Sequence, residues 1–148
     1  MTLLSRTEIE GALSRLGELA QARGKSVELL MISLIEQLAN AALARDALKV
    51  RRLAQDLVRS SPLSSLERPT IASPEALIVA AALVELLAFR NHVPSPSWTA
   101  IVGGMESPFH LLNAAERMPR LRAWCEAESP EPLRRRKLFA PPDYLSEV

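Results

Sequence analysis

Ser73-Pro74-Glu75-Ala76-Leu77-Ile78-Val79-Ala80-Ala81-Ala82-Leu83-Val84-Glu85-Leu86-Leu87-Ala88-Phe89 decides the reading of this chain. Its first three residues spell a helix start: a hydroxyl to cap, a proline at the first helical position, and an acid in the first turn. The rest is apolar on every side except at Glu85. A helix with no polar face is buried on all sides, at the centre of a bundle or in a membrane. A span needs about 20 apolar residues. This run is shorter and carries Glu85, so the bundle is favoured. The segment predicts a central helix over about 75–90.

Outward on the N-terminal side, Ser60 to Ser73 holds Pro62, Pro69 and several serines, which reads as a connection and a candidate subdomain boundary. Before it, Thr7-Glu8-Ile9-Glu10 is a capping-box pattern. Ile9, Ala12, Leu13, Leu16, Leu19 and Ala20 then recur at helical spacing up to Gly24, giving a helix from Glu8 to Arg23. Ser26 can cap a second helix with the seam Val27, Met31, Leu34, Leu38 and Ala41. A different seam follows: Leu43, Ala47, Val50, Ala54 and Leu57. One unbroken helix from Lys25 to Ser61 would be about 50 Å long. The change of register predicts instead a break near Arg45-Asp46, with Asp46 capping the next helix. The alternative is a continuous helix that pairs with a second chain.

On the C-terminal side, Val93-Pro94-Ser95-Pro96 is a stiff extended linker before Trp98. Gly103-Gly104 reads as a turn; it lacks the further glycines and the Lys-Ser/Thr of a phosphate loop. Ser107-Pro108 predicts a helix over about Phe109 to Met118, and Pro119 another to Glu128. Ser129-Pro130-Glu131 repeats the cap-proline-acid start and predicts a helix running through Arg134-Arg135-Arg136-Lys137 to Phe139. Pro141-Pro142 would stop it. No strand is predicted. The fold expected is all-α: one domain spanning 1–148, a compact bundle of six to eight helices around the 75–90 helix.

With 148 residues, the chain can bury roughly 70% of its unfolded surface and needs no metal or disulfide staple. Its apolar share of 48% and charged share of 24% are ordinary for a globular protein. Cys125 is the single cysteine, which fits a reducing compartment. The N-terminus lacks the apolar run of a secretory signal, so a cytoplasmic location is expected. The formal net charge of +1 excludes a strongly basic nucleic-acid coat, and 4% aromatics disfavours single-strand stacking platforms.

Catalytic and metal chemistry find few candidates. His92 and His110 are the only histidines, and no spacing pairs them on one helix face. Cys125 with His110 would be a nucleophile pair, or Cys125 is a buried thiol. Glu85 is either a functional carboxylate or the partner of a base such as Arg90 or Arg117. No catalytic residue, cofactor site or metal site is assigned. Two basic clusters remain. Arg45, Lys49, Arg52 and Arg59 fall on one helix face, interrupted by Asp56; Arg134, Arg135, Arg136 and Lys137 form a run. Each is a solvated face or a contact surface for carboxylates or phosphates.

From Ser73 onward the order of features resembles a known module. The Ala/Leu-rich helix leads to Val93-Pro94-Ser95-Pro96-Ser97-Trp98-Thr99, then Met118-Pro119-Arg120-Leu121-Arg122. Pro130-Glu131-Pro132-Leu133-Arg134-Arg135-Arg136, Phe139-Ala140-Pro141-Pro142 and Tyr144-Leu145 close it. This resembles small bacterial helical proteins of toxin–antitoxin-type pairs, encoded beside nucleotidyltransferase-type proteins. It is also similar to the C-terminal region of some Xre-type regulators. The resemblance covers the second half only. Between Glu8 and Arg59 no helix-turn-helix with its short Gly-containing turn is found. The resemblance implies a non-enzymatic, antitoxin-like partner of a nucleotidyltransferase-type protein. Trp98, Arg134, Arg135 and Arg136 are then the candidate partner-binding residues, with Trp98 as a core plug the competing reading. The alternatives are a nucleic-acid-binding regulator using Arg45, Lys49, Arg52 and Lys137, and a homodimeric scaffold.

Overall fold

The computed structural model describes residues 34–60 and 62–148, and these are predominantly helical. The helix expected over Glu8 to Arg23 and the start of the second at Ser26 lie outside the described residues.

Helix α1 covers 34–43 and α2 covers Ala47–Ser60. The break between them falls at Arg45-Asp46, as the register change predicts. Arg45 is left-handed, with φ at 58°. The N–H of Arg45 donates to Ala42 O and that of Asp46 to Ala41 O, both at 3.0 Å. This paired closure satisfies the last carbonyls of α1. Asp46 then caps α2, its Oδ1 accepting from Lys49 N–H at 3.2 Å. Val50, Leu53, Ala54 and Leu57 are buried, one stripe at helical spacing. Ala47, expected in that stripe, is exposed in the first turn.

Helix α3 spans Pro74–Arg90 and starts as its sequence dictates: Ser73 Oγ accepts from Ala76 N–H, with Pro74 and Glu75 following. Ala76 and every residue from Val79 to Ala88 are buried, Glu85 included. It ends with His92 at φ 57° and Val93 N–H donating to Ala88 O at 3.0 Å. Neither Arg45 nor His92 is glycine, although the left-handed cap favours it.

Beyond α3, a 3-10 turn over Ser97–Ile101 packs on that helix. The expected helix from Phe109 to Met118 does not form. Phe109–His110 is a short strand, β1, and a 3-10 turn over Asn113–Glu116 follows. Strand β1 pairs in parallel with β2, Leu138–Phe139, in the register Phe109 to Leu138 and His110 to Phe139. Phe109 and Leu111 donate to the carbonyls of Lys137 and Phe139, each at 2.9 Å. Those donors would otherwise have had to find helical partners, so tertiary pairing displaced local propensity.

Helix α4 covers Pro119–Glu128 as expected. The last helix, α5, is only Glu131–Arg134. The run expected to reach Phe139 turns instead at Lys137, whose φ is 59°. Nor does Ser129 cap it. The Ser129 hydroxyl accepts from Ala140 N–H at 2.9 Å and shares its proton between Ala140 O and Cys125 O. Among the described residues no helix is long and apolar enough to cross a membrane.

Asp46 serves both helices at the break, so Asp46→Ala should lower stability by roughly 0.5–2 kcal/mol and Asp46→Asn by much less. Urea denaturation midpoints of the three proteins measure this.

Candidate functional site

Chemistry concentrates around Glu85, the acid of the apolar helix. The side chain is 7% exposed. Its partners are neither Arg90 nor Arg117 but Arg135 and Arg136, delivered by the turn after α5. Arg135 Nη2 meets both carboxylate oxygens. Arg136 Nη2 lies 2.8 Å from Oε1 and 3.1 Å from Oε2. The two arginines differ sharply. The Arg136 side chain is 2% exposed and that of Arg135 45%.

Both terminal nitrogens of Arg136 are held. Its Nη1 donates to Pro132 O at 3.0 Å and Nη2 to Thr99 O at 2.8 Å. The Thr99 carbonyl is presented by the 3-10 turn, where Thr99 Oγ1 bonds Pro96 O at 2.8 Å. Gly104 lies against the Arg136 backbone: a Cβ there would sit 2.8 Å from Arg136 Cα. Met105 N–H donates to Arg136 O at 2.9 Å. The glycine is therefore needed for close approach, while the Arg136 Nε is buried without a partner. Both oxygens of Glu85 face guanidinium nitrogens, so this carboxylate acts as counter-ion to two arginines.

The remaining cluster residues take separate places. Arg90 reaches Pro142 O at 2.6 Å and Tyr144 O at 3.2 Å, tying the C-terminal segment to α3. Arg45 is in the turn, not on the α2 face. Its Nε donates to His110 O at 2.9 Å, Nη1 pairs with Glu116 at 2.8 Å, and the guanidinium lies 4.7 Å from the Phe109 ring centre. Lys49 and Arg52 stay exposed on α2 and border a shallow depression with Asp46 and Leu48. Lys137 points to Glu106 O at 3.5 Å. The structure thus separates Arg45 and Lys137 from Lys49 and Arg52.

Trp98 is buried, and its indole N–H donates to Leu66 O at 2.9 Å. It is a core plug, as the competing reading had it. Arg134 is exposed and donates to Ala127 O at 3.2 Å. Of the four residues considered for partner contact, Trp98 and Arg136 are buried, Arg134 is exposed, and Arg135 is half exposed with its guanidinium on Glu85. Trp124, absent from that set, is 45% exposed. The signal for it was local: Leu121 and Cys125, four apart, mark the inner side of α4 and leave Trp124 off it.

His110 and Cys125 form no hydrogen bond. His110 Nε2 lies 3.0 Å from Glu126 Oε1, and its ring packs on Phe139. Cys125 is fully buried. Burial, and secondarily the charge of Glu126, raise its pKa above the usual thiol value. Among the described residues no group of three or more His, Cys, Asp or Glu is arranged to hold a metal ion. A cleft of about 240 Å³ opens beside α2, with Ala47, Leu112, Tyr144, Leu145 and Val148 among its lining. Its Arg51 is ion-paired to Glu147 at 2.5 Å. Burial also raises the pKa of the Tyr144 hydroxyl.

No family model, curated protein or solved structure matches the chain.

Removing one member of a buried ion cluster leaves an uncompensated charge. Glu85→Ala should therefore destabilise by roughly 3–5 kcal/mol. Arg135→Ala should cost at most about 1 kcal/mol, because its side chain is half in solvent. Denaturant titration of both variants compares them. Cys125 should resist a soluble disulfide reagent in the native protein and react at once in denaturant, as thiol titration would record.

Proposed function

We propose that this chain is a non-enzymatic protein-interaction module, an antitoxin-like partner of a nucleotidyltransferase-type protein. The observation that carries the reading is the set of large apolar side chains held at the surface. Leu48, Phe89, Ile101, Met118 and Trp124 are each 45% exposed or more. Exposed apolar side chains of this size are the anchors that protein interfaces bury, tryptophan foremost. Arg134 is an exposed arginine, the other side chain enriched at interface centres, and Arg135 is half exposed with its guanidinium on Glu85.

The class of partner comes from the resemblance of residues 73–145 to antitoxin-like modules. The bundle of six to eight helices around the 75–90 helix and a cytoplasmic location belong to the same reading. A lone buried thiol fits a reducing compartment. The contact residues it implies are Arg134, Arg135 and Trp124. Trp98 and Arg136 support the core instead.

A second reading, a nucleic-acid-binding regulator, draws on Lys49 and Arg52, exposed three residues apart on α2. Its phosphate contacts would make affinity fall steeply with salt. Arg45 does not add to them, since its guanidinium is engaged by Glu116 and His110 O.

Co-expression with the product of the adjacent gene tests the leading reading. A stable complex on size exclusion is expected. Free migration of both proteins at micromolar concentration would sink it.

A further inference from the structure

Helix α4 and the two residues before it begin Arg117-Met118-Pro119-Arg120-Leu121-Arg122-Ala123-Trp124, a run with three arginines and no acid. Arg122 is exposed but engaged, donating to Ala115 O at 3.0 Å and Glu116 O at 2.7 Å. Arg117 and Arg120 are exposed, and their side chains make no hydrogen bond or ion pair among the described residues. Helix stability does not account for them. Cations at a helix N-terminus oppose the macrodipole. The first turn of α4 has no acid to offset them.

The same face carries an aromatic. Arg120 and Trp124 are four residues apart and so neighbours on the helix surface. Trp124 is 45% exposed, while Cys125 on the inner side is fully buried. Arg117 precedes the helix, across the extended Met118, and Arg134 follows it, its side chain held by Ala127 O three residues beyond Trp124. Of the exposed acids nearby, Glu116 is paired with Arg45 and Glu126 with His110, while Glu128 and Glu131 lie at the helix's C-terminal end.

We propose that this face, Arg117, Arg120 and Trp124 extended by Arg134, docks an acidic segment of a partner protein. Carboxylates meet Arg117 and Arg120, and an apolar side chain of the segment covers Trp124. The inference rests on the interaction-module reading and names its surface and the chemistry of its occupant. Charge complementarity selects an anionic occupant, since unpaired guanidiniums bind carboxylates and phosphates in bidentate fashion, and the exposed Trp124 beside Arg120 suits the apolar side chain of a peptide. One exposed indole offers no row of stacking faces for single-stranded nucleic acid.

The test is fluorescence anisotropy of the full chain with a labelled peptide of alternating Glu and Leu. A Lys–Leu peptide and a single-stranded oligonucleotide serve as comparisons. The Glu–Leu peptide should bind at least about tenfold tighter than either comparison. Arg120→Glu and Trp124→Ala should each weaken it about tenfold or more, and Lys49→Glu should leave it unchanged. All three positions are exposed, and thermal melts by circular dichroism establish that the variants fold. Equal binding of the two peptides, tighter binding of the oligonucleotide, or wild-type affinity in both α4 variants overturns the proposal. If the Arg117→Glu/Arg120→Glu protein still co-purifies undiminished with the adjacent gene product, this surface is wrong and the interaction-module reading stands. If wild type fails to co-purify but keeps its preference for the Glu–Leu peptide, the surface stands and its assigned partner falls.

Discussion

Glu85 places a carboxylate within an otherwise apolar stretch of α3, and two arginines fifty residues later in the chain neutralise it. Much of the C-terminal half is arranged around that requirement. Arg136 meets the carboxylate just past the end of α5, and the chain turns at Lys137. After the turn, Leu138 and Phe139 lie beside Phe109 and His110, so the small parallel ladder adjoins the ion cluster. Gly104 packs on the Arg136 backbone with no room for a Cβ, and the Thr99 carbonyl accepts from its guanidinium. A buried ion cluster contributes little net stability compared with apolar packing, but it tolerates few alternative arrangements. Here it joins α3, the 97–101 turn and the α5 turn in one register.

The arginines divide between interior and surface in a way that composition conceals. Arg45, Arg90, Arg122 and Arg136 each donate to backbone carbonyls. Several donors on one planar group suit that task. In this fold arginine takes the part of capping residue and loop clamp. Arg117 and Arg120, like Arg52, Arg59 and Arg68 elsewhere on the surface, make no such contact among the described residues, and Arg134 makes a single carbonyl contact.

Two copies of Ser-Pro-Glu show how far local chemistry reaches. Ser73 caps α3, with Pro74 and Glu75 in their expected places. Ser129 has the same following residues, yet its hydroxyl is bound to Ala140 and Cys125 O, and α5 begins after Pro130 without it. The tripeptide is the same; the difference lies in what arrives from elsewhere in the chain. Arg45 and His92 make a parallel case. Each closes a helix in the left-handed region where glycine would be expected, so neither helix end is marked in sequence by its usual residue.

Sequence by itself determined the helices whose signals are local: the break at Asp46, the start of α3 at Ser73, the limits of α4, and the burial of the apolar run. These depend on capping and periodicity, which act within a turn or two. Tertiary structure decided the rest. It chose Arg135 and Arg136 over Arg90 and Arg117 as partners of Glu85, placed Trp98 inside and Trp124 outside, and drew Arg45 off the α2 face. It also replaced an expected helix after Pro108 with a strand. Each of those outcomes depends on a contact between segments far apart in the chain. The free energy of such a contact is set by burial and by unsatisfied polar groups, which no local pattern records.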